Sequence, residues 1–105
     1  MEVAHMLKIT KFGGSSVANA EQFKKIKNII QQDPTRRYIV VSAPGKRFSA
    51  DSKITDLLYL LDAHRKYHVD ASSVFKLIKN RFIEIKNELC LKQPIEKELD
   101  AFYTN

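Results

Sequence analysis

The 105-residue chain is 44% hydrophobic and 29% charged, with three glycines and three prolines, a balance that excludes a disordered or low-complexity polypeptide and allows at most one small domain. Its formal net charge of +6 admits an acidic partner, but the basic residues are spread from Lys8 to Lys97, which describes a solvated surface rather than a nucleic-acid stripe. Cys90 is the only cysteine, ruling out an intrachain disulfide, and the absence of both an apolar run of ~18 residues and a signal sequence predicts a cytoplasmic protein without membrane contact.

Residues 1–5 read as a cloning remnant ahead of the first strand and are set aside. Met6, Leu7, Ile9 and Phe12 then predict a strand over 6–12 that ends at Gly13-Gly14. A helix follows. Asn19 and Gln22 have capping-box spacing, Phe23, Ile26, Ile29 and Ile30 share a face, and Asp33-Pro34 terminates the element. The continuous run from Arg37 to Ala43 predicts a second strand, buried on both faces as in a parallel sheet. Strand, helix and strand within about 37 residues make a βαβ unit.

Pro44–Lys53 is a polar loop containing Gly45, Lys46 and Arg47, and Ile54–Leu61 opens another helix. Asp70 is placed to cap a longer helix in which Phe75, Ile78, Phe82, Ile85 and Leu89 form a packing stripe, and Gln93-Pro94 leads into a last helix from Ile95 toward Phe102. The fold class is therefore α/β, a parallel βαβ unit followed by helices. Two strands do not make an independently stable sheet, so either the later helices cover the pair or further strands come from elsewhere.

In open parallel sheets, ligands bind beyond the carboxyl ends of the strands. Both strands end in suggestive sequence, Gly13-Gly14-Ser15-Ser16 and Ser42-Ala43-Pro44-Gly45, and parallel pairing puts these two loops side by side. The glycines serve either a tight turn or the approach of an anion to bare main-chain N–H groups. Lys11 is either a solvated strand-end lysine or an ammonium reaching toward a phosphate. Thr55, at a helix start, either caps the helix or binds a carboxylate. Neither a Walker A loop nor GxGxxG is present. His64 and His68, one helical turn apart, lack the acidic company of a metal triad, and no metal ligand is assigned.

Lys11-Phe12-Gly13-Gly14-Ser15-Ser16-Val17-Ala18 resembles the amino-terminal signature of aspartate kinases, in the amino-acid kinase superfamily. Val40–Arg47 followed by Lys53-Ile54-Thr55-Asp56-Leu57-Leu58 is similar to that family's second strand, loop and substrate helix, especially in clostridial-type enzymes. The resemblance implies part of a three-layer amino-acid kinase fold. It implies transfer of the ATP γ-phosphoryl group to the side-chain carboxylate of L-aspartate, with Mg²⁺, as the first step toward lysine, threonine and methionine. It also implies that Lys11, Phe12, Gly13 and Gly14 form the phosphate-binding segment with Lys11 as electrostatic clamp, that Ser42 lies beside the transferring phosphate, and that Thr55 contacts aspartate. The full-length enzyme is expected to be a homo-oligomer. The family's remaining substrate and adenine-binding residues come later than this chain reaches, so residues 1–105 are expected to be the amino-terminal part of a catalytic domain and inactive alone. Two rival readings are another kinase of the superfamily and a small basic binding module.

Overall fold

A computed structural model of the chain describes residues 7–104; the remnant assigned to residues 1–5 and the strand start at Met6 lie outside the described residues. The chain divides into two compact units, one ending at Asp51 and the other beginning at Ser52.

The first unit is the βαβ unit. Strand β1 (Lys8–Phe12) pairs in parallel with β2 (Arg36–Val41), in a register that sets Lys11 opposite Val40 and Phe12 opposite Val41. Between them run a short 3₁₀ turn (Gly14–Val17), which the sequence reading did not foresee, and helix α1 (Ala20–Gln31). Asn19 caps α1, its side-chain oxygen accepting the Gln22 N–H at 3.1 Å. The core of the unit is small: Phe12, Val17 and Ile26 are buried, with Phe23 and Ile30 packed against them. Ile29, expected on that face, is 37% exposed, because it is adjacent to Ile30 and a helix turns about 100° per residue.

The Asp33-Pro34 turn is tied down from two sides. Asp33 accepts from the Thr35 N–H (2.9 Å) and hydroxyl (2.6 Å), and its other oxygen accepts from Lys8 Nζ at 2.6 Å. The N–H of Lys8 donates to the Thr35 carbonyl at 2.7 Å, so the start of β1 is fastened to the entry of β2.

The expectation of a second strand buried on both faces is corrected. Tyr38, Val40 and Val41 are 57%, 48% and 54% exposed, and Ile39 is exposed as well. The apolar run specifies a strand suited to an interior, but the sheet has only two strands, and the core of the unit is built on Phe12 of β1.

The second unit is helical: α2 (Ile54–Lys66), α3 (Ser72–Glu88) and α4 (Ile95–Thr104). Ile54, Leu57 and Leu61 of α2 meet Val74, Phe75 and Ile78 of α3, with Ala71 between them and Leu99 and Tyr103 of α4 closing the cluster. The Phe75 and Tyr103 rings lie 4.3 Å apart, tilted by 34°. The predicted stripe on α3 is thus packing: Phe75, Ile78 and Ile85 are buried, and Phe82 and Leu89 half-buried. Salt bridges Lys79–Asp100 (2.7 Å) and Lys86–Glu96 (2.9 Å) flank the α3–α4 contact. Asp70 fastens the start of α3 from just outside it, its carboxylate accepting the Ser72 N–H at 3.0 Å and hydroxyl at 3.1 Å.

Helices α2 and α3 end alike. Tyr67 and Leu89 are their C-cap residues, and the next residues, His68 (φ 57°) and Cys90 (φ 56°), adopt the left-handed conformation usually given to glycine. The two returning bonds of a Schellman turn follow each, Val69 N–H to the His64 carbonyl (2.8 Å) and Leu91 N–H to the Lys86 carbonyl (3.0 Å) being the outer ones.

Candidate functional site

The parallel register brings the two strand ends together at one edge of the sheet. The Ser42 N–H donates to the Phe12 carbonyl at 3.0 Å, extending the ladder one residue beyond β2. Beyond that, the Gly45 N–H donates to the Gly14 carbonyl at 2.8 Å, so the two loops are joined main chain to main chain. The side-by-side placement expected from topology is what the structure has.

The three glycines of the chain do different things. None has a positive φ, so none is required for a left-handed turn. A Cβ on Gly45 would lie 2.7 Å from the Gly14 carbonyl carbon and 2.9 Å from its oxygen, and one on Gly14 would lie 3.3 Å from the Ala43 carbonyl oxygen. These two are bare because the loops touch. Gly13 has φ −74° and ψ 177°, backbone that any residue adopts, and a Cβ there would meet nothing within 4 Å. Neither backbone angle nor packing accounts for a missing side chain at Gly13, which borders open space at the end of β1.

Lys11 is exposed and next to last in β1, and among the described residues no ion pair or hydrogen bond engages its ammonium. Phe12 points the other way, into the core, so whatever it offers a ligand is main chain. Ser42 is half-buried at the strand edge. Lys11, Gly13, Gly14 and Ser42 thus share one edge of the first unit.

The loop after Ser42 carries a feature that sequence reading missed. Arg47 folds onto Asp51, donating from its main-chain N–H (2.9 Å), Nε (2.7 Å) and Nη2 (3.0 Å), and its guanidinium lies 5.6 Å from the centre of the Phe48 ring. A fork–carboxylate pair of this kind spends the arginine's charge inside the loop and fixes the loop's shape.

Thr55 belongs to the second unit. Lys53 occupies the cap position of α2 and makes no side-chain capping bond, so Thr55, the second residue of the helix, does not serve as its cap. Its exposed side chain lines a shallow depression of about 380 Å³ with Leu58, Tyr59 and Asp62. Among the described residues no group of three or more His, Cys, Asp or Glu side chains is arranged to hold a metal ion. His64 directs Nδ1 at the Asp70 carbonyl, 3.3 Å away.

A βαβ unit with a bare-glycine loop and an exposed strand-end lysine is the kind of α/β element in which ligands are held beyond the strand ends. Comparison with known proteins gives this class a particular relative. The chain is 40% identical over 99 residues to aspartokinase 3 of Bacillus subtilis strain 168, a match covering 93% of the chain and 22% of that protein. Its structure superposes on that of the Clostridium acetobutylicum aspartate kinase with a TM-score of 0.89 at 52% identity, covering 92% of the chain and 22% of that enzyme. No protein-family model matches. In sequence and in fold the chain is similar, along nearly its whole length, to one segment of aspartate kinases, and it spans about a fifth of the length of these relatives.

Proposed function

We propose that the chain is part of the catalytic domain of an aspartate kinase, which transfers the γ-phosphoryl group of ATP to the side-chain carboxylate of L-aspartate. The observation that carries this reading is Gly13: a residue bare for no conformational or packing reason, beside an ammonium unpaired among the described residues, at the edge where both strand-end loops meet. The similarity to two aspartate kinases supports the same reading.

Phosphoryl transfer asks a protein mainly for positioning and for cancellation of the charge spread over the transferring group. Lys11 supplies a point cation at the strand end. Gly13 lets a phosphate approach the main chain, and the clasp between Gly14 and Gly45 holds the second loop, with Ser42, against the first. Thr55 offers a hydroxyl to the acceptor amino acid. Mg²⁺ enters bound to the phosphates of ATP, as it does where few protein carboxylates hold it, and no described residue of this chain is assigned to it. The full-length enzyme is read as a cytoplasmic homo-oligomer of amino-acid biosynthesis, and no helix among the described residues is long and apolar enough to cross a membrane.

The test is a chimera in which residues 7–104 replace the matched segment of the Clostridium acetobutylicum enzyme. Aspartyl phosphate formation by the chimera, reduced about 10²- to 10³-fold by Lys11→Met, is the expected result for loss of a preorganised charge at the reacting group. A folded chimera without aspartate-dependent turnover, or one indifferent to Lys11→Met, overturns the proposal.

A further inference from the structure

We propose that Arg81 is a positioning residue for the acceptor amino acid, holding the entry of α2 and thereby the hydroxyl of Thr55. The inference rests on the reading of Thr55 as an aspartate contact.

Arg81 is 5% exposed and is the only charged residue among the buried ones described. It lies on α3 in line with Val74, Ile78 and Ile85, all buried and apolar, so an apolar side chain at this position would continue the packing face. Burying a guanidinium there is unfavourable by itself, and well-packed apolar replacements of buried ions are often neutral or stabilising. Core packing therefore does not account for an arginine at position 81.

What the guanidinium does that a hydrocarbon cannot is donate. Its Nη1 gives a hydrogen bond of 2.8 Å to the carbonyl of Ser52, 29 residues away in sequence. Ser52 directly precedes Lys53, the cap residue of α2, which has no side-chain capping bond of its own. The start of the helix is thus held on either side of Lys53, by Arg81 on Ser52 and by burial of Ile54, which is 2% exposed. Thr55 is the next residue and projects from this anchored turn into solvent. A donor fixed in a packed helix, acting on the backbone two residues before the anchored turn, is the supporting contact that keeps a site side chain from drifting. Displacement of a reacting group by ~1 Å is enough to lower a rate by orders of magnitude.

Two readouts test this. In the 105-residue chain, Arg81→Met should speed hydrogen exchange of the Leu57 amide, which donates to the Lys53 carbonyl at 3.1 Å, by about tenfold, as loss of a partly buried charge-assisted bond predicts. Lys86→Met, which removes the contact of α3 with Glu96 of α4, should leave that amide unchanged, separating a local effect from general loosening. In the chimera, Arg81→Met should raise KM for aspartate about tenfold while KM for ATP stays within about twofold, and Arg81→Lys should fall between. Should Arg81→Met fail to fold, Arg81→Lys carries both measurements. Unchanged Leu57 exchange, or a parallel change in both KM values, overturns the positioning role. A Leu57 amide that responds, in a chimera where Thr55→Val leaves KM for aspartate unchanged, instead overturns the acceptor reading of Thr55 and the functional inference with it.

Discussion

The Gly45 N–H donates to the Gly14 carbonyl at 2.8 Å, and no side chain stands between the two residues. This contact locks the loop after β2 onto the loop after β1, and its geometry separates the roles of the glycines. Gly45→Ala drives a Cβ to within 3.0 Å of three main-chain atoms of Gly14 and Ser15 that have no flexible way to yield. It should destabilise the first unit by about 1–3 kcal/mol, as overpacking does. Gly13→Ala meets nothing and needs no change of backbone, so its stability should stay within about 0.5 kcal/mol of the parent. In the active chimera Gly13→Ala should nevertheless lower turnover, because the space it fills is where a phosphate would approach. Urea midpoints together with aspartyl phosphate assays check both, and a Gly13→Ala variant with full activity would remove the main support for the phosphate-loop reading.

Two residues hold helix-ending conformations that side chains disfavour. His68 and Cys90 stand at φ 57° and 56°, where an L-residue with a Cβ is at a disadvantage of roughly 1–2 kcal/mol relative to glycine, partly offset by the greater freedom glycine has when unfolded. His68→Gly and Cys90→Gly should each stabilise the helical unit by about 0.5–1 kcal/mol. Thermal unfolding followed by circular dichroism measures this, and a lowered midpoint in both variants would contradict the assigned helix ends.

Much of this architecture was legible in the sequence. The helices show because their apolar residues recur at helical spacing, as in Phe75, Ile78 and Ile85, and the strand ends show because glycine and proline interrupt apolar runs at Gly13 and Pro44. What stayed hidden depends on partners distant in sequence. The main-chain contact of Gly45 with Gly14 shows only once the two loops stand against each other, and Arg81, which no sequence pattern singles out, acquires its Ser52 carbonyl partner only in the fold. Arg47 counts as surface charge in the sequence, although Asp51 already neutralises it. The exposure of β2 misled for the opposite reason: Tyr38–Val41 is composed for an interior that two strands do not provide.

Acid should weaken both units in the same direction. The Lys8 ammonium, followed by the Thr35 hydroxyl and N–H, holds the Asp33 carboxyl well below its ordinary value of 3.8. The Ser72 N–H, then its hydroxyl, lowers Asp70, and the Lys86 ammonium lowers Glu96. A carboxyl depressed in the folded state binds fewer protons there than in the unfolded chain. Its contribution is complete above the unfolded pKa and is lost as pH falls through the folded one. The urea midpoint should therefore hold steady above about pH 5 and decline below it. Asp33→Asn, which keeps an acceptor for Thr35 but gives Lys8 no charge to pair with, should make that decline shallower. Equal acid slopes in parent and variant would show that the Lys8–Asp33 pair contributes no linkage.

The apolar surface of β2 sets the behaviour of the chain in solution. Tyr38 and Val40 lie on one side of the strand and Ile39 and Val41 on the other, all exposed. An exposed apolar strand in a two-stranded sheet is a template for pairing with another chain, and native proteins blunt such strands with charge. The isolated chain should therefore self-associate as its concentration rises, with a steeper dependence at high salt, where its net charge of +6 is screened. Tyr38→Lys combined with Val40→Lys should suppress association without touching the core of Phe12, Val17 and Ile26, because neither residue is buried there. Sedimentation velocity across a concentration series distinguishes the outcomes. A parent chain that remains monomeric at high concentration, or a double variant that associates as strongly as the parent, would place the cause of association elsewhere than on this strand.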